Sequence, residues 1–479
     1  MENETKTIFF FDDWLVQYQK GMERKWFSAE ILPEYETPRM DENITLSMLG
    51  GSVLKEKDGT WRMWSLGFQD TSRGDEGSAL YLYRSNDGIN WEPDRDASGN
   101  YCVFTGEHTG GGAPFYDERE KDPSRRYKFV YVDLSPDPFE LGAARTAFSP
   151  DGRNWTIDKE ARWNKQHTDG CGQFVYNPYN GKYFFAGRPI LGDRRVAIYQ
   201  TEDFLHYEKP FVVLQPDSSD PPMTEFYAMS VVPYGGMFLG FMSKHFCGEL
   251  DNGVFFRSYG RIVPELVYSI NGISFQRTNR QPFIRYDPMK YGMMFAGSAV
   301  SNGDKLYIYS TAYASGHGDE FNKPKNPEMF GGAGLVIASI RKDGFCALET
   351  TSDLGEFAIR PMIYRGGDIT INAQTSAYGR IRAELRTPQD RGASTPIEGF
   401  ALEDSIPLCG DSCSHALRWK NGADLSVLKN KPVMLRLEMV QARVYSIEMQ
   451  GIYRYGFVPL LDLSGNFIPG HWWDIVNAE

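Results

Sequence analysis

Along most of the chain apolar and polar residues alternate in short runs, the period-two pattern of strands, and no helical periodicity intervenes. Runs such as Gly51-Ser52-Val53-Leu54, Trp61-Arg62-Met63-Trp64 and Tyr127-Lys128-Phe129-Val130-Tyr131-Val132 predict strands. A recurring punctuation follows them: Ser or Thr, a turn, then an aromatic residue. It reads Tyr83-Arg84-Ser85-Asn86-Asp87-Gly88-Ile89-Asn90-Trp91, then Phe148-Ser149-Pro150-Asp151-Gly152-Arg153-Asn154-Trp155. A degenerate copy is Thr201-Glu202-Asp203-Phe204-Leu205-His206-Tyr207, and a clearer one is Tyr268-Ser269-Ile270-Asn271-Gly272-Ile273-Ser274-Phe275. The weakest is Ser339-Ile340-Arg341-Lys342-Asp343-Gly344-Phe345. Asp-Gly and Asn-Gly supply the positive φ of a two-residue hairpin turn, and the aromatic starts the returning strand.

Two further strand-like runs precede each copy, which makes about four strands per unit at an interval on the order of 50–70 residues. The prediction is an all-β chain: a five-bladed β-propeller over residues 1–345. After residue 345 the strands alternate without this punctuation, as in Ile369-Thr370-Ile371-Asn372-Ala373 and Val433-Met434-Leu435-Arg436-Leu437-Glu438-Met439. Residues 346–479 therefore read as a C-terminal β-sandwich. The strand Thr7-Ile8-Phe9-Phe10-Phe11 is expected to pair with the last blade or lie against the sandwich. Asp87, Asp151, Asn271 and Trp91 are scaffold on this reading.

Composition sharpens the picture. Aromatic residues make up 14% of the 479 residues and there are 48 glycines, the partners of a turn-then-aromatic repeat. Lys plus Arg total 51 against 63 Asp plus Glu, a net charge of −12, and no basic run occurs; nucleic acid and membrane are excluded as partners. No apolar stretch is long enough to span a bilayer. The polar, acidic start Met1-Glu2-Asn3-Glu4-Thr5-Lys6 is unlike a signal peptide, so the expected location is cytoplasmic, or periplasmic or secreted if a signal segment has been removed. Six dispersed cysteines favour a reducing compartment, and the Cys409–Cys413 spacing suits a loop disulfide or two free thiols. The sequence leaves the oligomeric state unknown.

Polar residues at the start of each innermost blade strand converge on the channel. These are Asp41 and Glu42; Glu107 and His108; His167 and Asp169; Glu225; and Asp287 near Tyr291. Two carboxyl groups flanking a bond are what glycoside hydrolysis needs, one donating a proton and the other attacking or activating water. A third acid raises the donor's pKa by like-charge repulsion. Asp169 and Glu225 stand out, since His167 flanks the first and Tyr227 follows near the second. Arg188, Lys244-His245 and His317 add groups for sugar hydroxyls or for a uronate or sulfate. No cofactor is expected; a structural divalent cation in the channel near His317 stays open as an alternative, but ligand spacing does not argue for one. Lys121-Asp122-Pro123 reads as structural, at the hairpin end of its unit.

Five stretches carry a family resemblance: Phe10-Phe11-Asp12-Asp13-Trp14-Leu15, Trp61-Arg62-Met63-Trp64, Asp122-Pro123-Ser124-Arg125-Arg126-Tyr127-Lys128, Thr224-Glu225-Phe226-Tyr227 and Arg341-Lys342-Asp343-Gly344-Phe345. With them the chain resembles the five-bladed β-propeller glycoside hydrolases of families 32, 43, 62 and 68, and in particular a family 32-like branch. The fructosidase motifs Asn-Asp-Pro-Asn-Gly and Glu-Cys are absent, so the resemblance identifies architecture better than reaction. It implies a glycosidase of an oligo- or polysaccharide, such as an arabinofuranoside or fructofuranoside. Its acids would come from Asp41 or Glu42 with Glu107, Asp169 and Glu225, and its substrate contacts from His108, His167, Arg188, Tyr227, His245 and His317. The other readings are a non-catalytic glycan-binding propeller, and a phosphorylase or transglycosylase using Arg188, Arg194 and Arg195.

Overall fold

The computed structural model describes residues 5–35, 45–68, 78–105, 109–110, 112–133, 143–157, 168–169, 172–189, 191–249, 255–318, 334–351, 354–388 and 394–453. Its regular elements are strands and short 3-10 turns, and among the described residues no helix is long and apolar enough to cross a membrane. The chain divides into two compact units, Ser28–Ile340 and a second made of Met1–Phe27 with Arg341–Glu479.

Within Ser28–Ile340 the strands form consecutive antiparallel groups. The first is Thr45–Lys55, Trp61–Phe68, Ser78–Ser85 and Glu92–Pro93, with Cys102–Thr105 also on Ser78–Ser85. In the second, Thr109–Gly110 and Pro114–Tyr116 pair with Tyr127–Asp133, followed by Ala143–Ser149 and Thr156–Ile157. The third repeats this with Thr168–Asp169 and Val175–Asn177 on Lys182–Pro189, then Val196–Thr201 and Phe211–Leu214. The fourth is Thr224–Tyr234, Met237–Glu249, Phe255–Ser269 and Gln276–Pro282. The last is Met293–Asn302, Lys305–Tyr313 and Gly334–Arg341, completed by Ala29–Ile31 from the far end of the unit. Ile262↔Met293 joins the fourth group to the last.

The repeated turns differ from the expected two-residue hairpins. They occupy residues 86–91, 150–155 and 270–275, because one carboxylate or amide oxygen bridges several backbone donors and so favours a longer loop. Asp87 Oδ1 accepts from the N–H groups of Ile89 (2.8 Å) and Asn90 (2.7 Å), and Ser85 Oγ accepts from Gly88 N–H (2.9 Å). Asn271 with Ser269 and Asp203 with Thr201 repeat the set. The degenerate copy keeps the geometry: Phe204 holds φ 66° where Gly88 has 75°, Gly152 73° and Gly272 70°. The weakest copy departs from it, with positive φ on Asp343 and that carboxylate accepting from Ser446 Oγ at 2.7 Å inside the other unit.

Each turn is fastened to the preceding group. Trp64 Nε1 of the first group donates to the Gly152 carbonyl (2.7 Å), Thr146 Oγ1 of the second to Phe204 (3.0 Å), and Asn177 Nδ2 of the third to Asn271 (2.8 Å). Tyr309 Oη of the last group donates to Gly88 of the first (2.9 Å). A Cβ at Gly88 would meet that hydroxyl at 2.9 Å and the Trp61 ring at 3.0 Å, so the approach itself needs glycine. Buried Lys128 ties the second group to the third: its Nζ donates to Asp117 (2.9 Å), to which Tyr183 Oη also donates (2.8 Å). Asp122 caps the 3-10 turn Pro123–Arg125 by accepting from Ser124 N–H (2.9 Å).

In the other unit, Pro432–Tyr453 is the hub. It pairs with Thr5–Phe9, Cys346–Thr350, Gly355–Ile359 and Met362–Thr387. The N-terminal strand pairs here and not with the last group, from Thr5↔Gln450 to Phe9↔Ser446. Val16–Lys20 and Met22–Trp26 pair with Gly355–Ile359 and Cys346–Thr350, so the first 27 residues group with the C-terminal ones. Cys409 and Cys413 are not joined in a disulfide.

The turns set an acid limit on stability. Burial alone would raise the Asp87 pKa, but hydrogen bonds from Asn90, Ile89 and Ser85 outweigh it and hold the carboxyl at about 2, against 3.8 ordinarily. A folded-state pKa below the unfolded one stabilises above the unfolded value and is lost as pH falls towards the folded one. Urea midpoints should therefore decline from pH 3.8 towards about 2, and in Asp87→Asn the decline should be shallower.

Candidate active site

Five residues proposed from sequence meet at one end of the fourth group. Glu225 is the second residue of Thr224–Tyr234 and lies opposite His245 on Met237–Glu249. The register slips between Phe226 and Ala228, leaving Tyr227 as the extra residue of a bulge, a device that re-aims a side chain. Arg188 reaches the site from the third group and His317 from the turn after Lys305–Tyr313. Two backbone bonds fix that turn, Gly260 N–H to His317 carbonyl (2.9 Å) and His317 N–H to Gly260 carbonyl (2.7 Å). Gly260 has φ 138°, and a Cβ there would lie 1.9 Å from the Phe246 carbonyl oxygen.

Glu225 is 7% exposed, and its Oε2 accepts from Arg194 Nη1 at 2.6 Å. The Arg194 carbonyl in turn accepts from Phe226 N–H at 3.0 Å, which holds that segment along the strand. Both guanidiniums face one phenol ring, Arg188 at 4.8 Å and Arg194 at 5.3 Å from the Tyr227 centroid. Such cation–π contacts occupy the ring with charge, so Tyr227 is a holder of cations and not an open sugar platform. Its hydroxyl lies 3.2 Å from His317 Nε2. The His245 ring stands 5.3 Å from that of His317 and 6.0 Å from that of Tyr227.

Electrostatics follow from this crowding. Burial, and then the nearby His317, Arg194 and Arg188, push the His245 pKa down to about 3, so the ring is neutral at neutral pH. Burial also lowers Arg188, a shift opposed by the Tyr227 oxygen and reinforced by Arg194. Two guanidiniums beside a neutral imidazole suit an anionic group or the lone pairs of sugar hydroxyls. Alternation along Met237–Glu249 places Lys244 away from His245, in a separate buried network with Asp220 (2.9 Å) and Glu265 (3.4 Å) that Arg277 completes. Lys244 is thus part of the scaffold.

The other residues expected from the sequence fall into two sets. Asp41, Glu42, Glu107, His108 and His167 lie outside the described residues. The Asp169 backbone pairs with that of Arg188, so the two residues lie opposite each other on neighbouring strands. Asp287 is an exposed turn residue whose Oδ1 accepts from Met289 N–H at 2.8 Å, because the chain reverses there; it does not join the cluster. Arg195 turns to Asp193 (2.8 Å) and Gln215 (2.8 Å), apart from Arg188 and Arg194. Sequence reasoning missed Cys247, whose Sγ lies 3.7 Å from His245 Nδ1. Its signal was the His-x-Cys spacing, which on a strand puts both side chains on one face.

No family model matches the chain, and no curated protein matches it in sequence. Solved structures do. A thermostable family-43 glycoside hydrolase is similar over 65% of this chain and 94% of its own, with 12% identity and a TM-score of 0.44. The exo-β-1,3-galactanase of Phanerochaete chrysosporium is similar over 89% of this chain and all of its own, with 9% identity and a TM-score of 0.41. A family-32 β-fructofuranosidase of Bombyx mori is similar over 88% of this chain and 95% of its own, with 12% identity and a TM-score of 0.41.

Arg194→Met should remove the 2.6 Å ion partner of the largely buried Glu225 and cost about 3 kcal/mol in chemical denaturation. The double variant Arg194→Met/Glu225→Gln should recover part of that loss, giving a clear coupling energy.

Proposed function

We propose that this chain is a glycan-active enzyme that cleaves a glycosidic bond at the cluster around Glu225. The observation that carries the reading is a buried carboxylate, Glu225, set 2.6 Å from Arg194 and beside Arg188, Tyr227 and His317 at a strand start. Asp169, whose backbone lies opposite Arg188, is proposed as the second carboxyl group that hydrolysis requires. The fold proposed with it is a five-bladed β-propeller over residues 28–340, with a β-sandwich formed by the remainder. Support for the blade count comes from five consecutive strand groups and from turn bonds that link first to second, second to third, third to fourth, and last to first.

The two guanidiniums on Tyr227 favour a second reading, phosphorolysis, since arginine matches phosphate oxygens in paired geometry. Both readings are separated by one assay. Aryl arabinofuranosides, aryl fructofuranosides and an oligosaccharide panel are incubated with the full chain, with and without inorganic phosphate. Reducing sugar released without phosphate marks hydrolysis, and sugar phosphate marks the alternative. Glu225→Gln and Asp169→Asn should each lower kcat by roughly 100- to 10,000-fold. A fully active double variant, or no turnover on any substrate, overturns the proposal.

A further inference from the structure

The Glu225, His245 and Cys247 side chains form a second kind of constellation. All three are buried, at 7%, 0% and 8% exposure, and one donor atom from each lies within 4.8 Å of the others. Strand geometry brings them together: His245 and Cys247 are two residues apart on one strand, and Glu225 is the cross-strand partner of His245. Ligands around a tetrahedral zinc ion, bound at about 2.0–2.3 Å, stand roughly 3.5 Å apart. Cys247 Sγ lies 3.7 Å from His245 Nδ1, so the thiol stands beside the imidazole, and the 4.8 Å limit on all three donor atoms is within reach of that spacing.

An independent observation points to a ligand. His245 Nε2 is buried with no hydrogen-bond partner, and an orphaned polar atom in such a place is costly. The ring does bond the Tyr259 carbonyl. With Nε2 unpartnered, that bond belongs to Nδ1. A histidine whose Nδ1–H is held by a backbone carbonyl presents the lone pair of Nε2, the arrangement usual for metal-ligating histidines.

We propose that Glu225, His245 and Cys247 bind a thiolate-preferring divalent cation, zinc above all. The donor set selects the metal: a thiolate with an imidazole suits zinc, whereas calcium and magnesium want oxygen ligands. Binding requires the Cys247 thiol to lose its proton to solvent, so a thiolate faces the ion together with the Glu225 carboxylate, whose Oε2 also pairs with Arg194. Three protein ligands leave a fourth position for water or an oxygen of a bound molecule. The inference does not rest on the glycosidase reading, since metal binding is measured without turnover.

The test uses the full chain with zinc, and with cobalt as a spectroscopic substitute. Elemental analysis after dialysis against micromolar zinc should give one zinc per chain, and cobalt should give a thiolate-to-metal charge-transfer band in the near ultraviolet. Cys247→Ser should abolish the band and Glu225→Gln should weaken zinc binding by ~10-fold or more. Cys409→Ser should change neither. Substoichiometric zinc in the unaltered chain, or a band lost in Cys409→Ser but kept in Cys247→Ser, overturns the proposal. Should Cys247→Ser fail to fold, the Glu225→Gln affinity and the cobalt band of the unaltered chain decide it.

Discussion

One backbone carbonyl in each turn, accepting a hydrogen bond from the strand group before it, is the interaction on which the first unit depends. Gly152, Phe204, Asn271 and Gly88 each supply such a carbonyl, to Trp64, Thr146, Asn177 and Tyr309. Singly, a hydrogen bond of this kind contributes on the order of 1 kcal/mol. Repetition makes it decisive: the same bond in the same place fixes how each group meets the next. With the Ile262↔Met293 pairing between the fourth group and the last, these bonds hold together the three groups that supply Arg188, Glu225 with Tyr227, and His317.

The turns were legible in the sequence because their determinants are local. A Ser or Thr followed two residues later by Asp or Asn carries the whole hydrogen-bond set, and Phe204 adopts the left-handed backbone that glycine takes elsewhere. What local pattern could not give was loop length: the oxygen of Asp87 spans donors at both Ile89 and Asn90, which lengthens the connection. The copy at Asp343 looked like the others, yet its carboxylate is taken by Ser446, far away in sequence. The N-terminal strand was similarly ambiguous, since its partner Pro432–Tyr453 is set by tertiary packing.

Much of the site was legible for the same reason that its gaps were not. Glu225 could be named because it opens a strand, with Tyr227 close after it, and His245 and His317 because imidazoles suit sugar hydroxyls or an anionic group. Contacts between strand groups cannot be read from spacing, so the Arg194 ion pair was not foreseen, whereas the approach of Cys247 to His245 was signalled by the His-x-Cys spacing and overlooked. Register also explains why neighbours in sequence serve different ends. Lys244 and His245 sit on opposite faces of one strand, the first in a buried charge network with Asp220, Glu265 and Arg277, the second among the site residues. The network stiffens the strand that presents the site.

The pairing of Ala29–Ile31 with Gly334–Arg341, through Ile31↔Ala338 and Glu30↔Ser339, has a kinetic meaning. Nearly the entire unit must be synthesised before these partners can meet, and closing so long a loop comes late in folding. Until then the run Leu335-Val336-Ile337-Ala338, fully or almost fully buried in the finished protein, presents a bare apolar edge. A ribosome-bound chain would carry that adhesive strand last, which makes the final step of assembly also the moment of greatest exposure to aggregation.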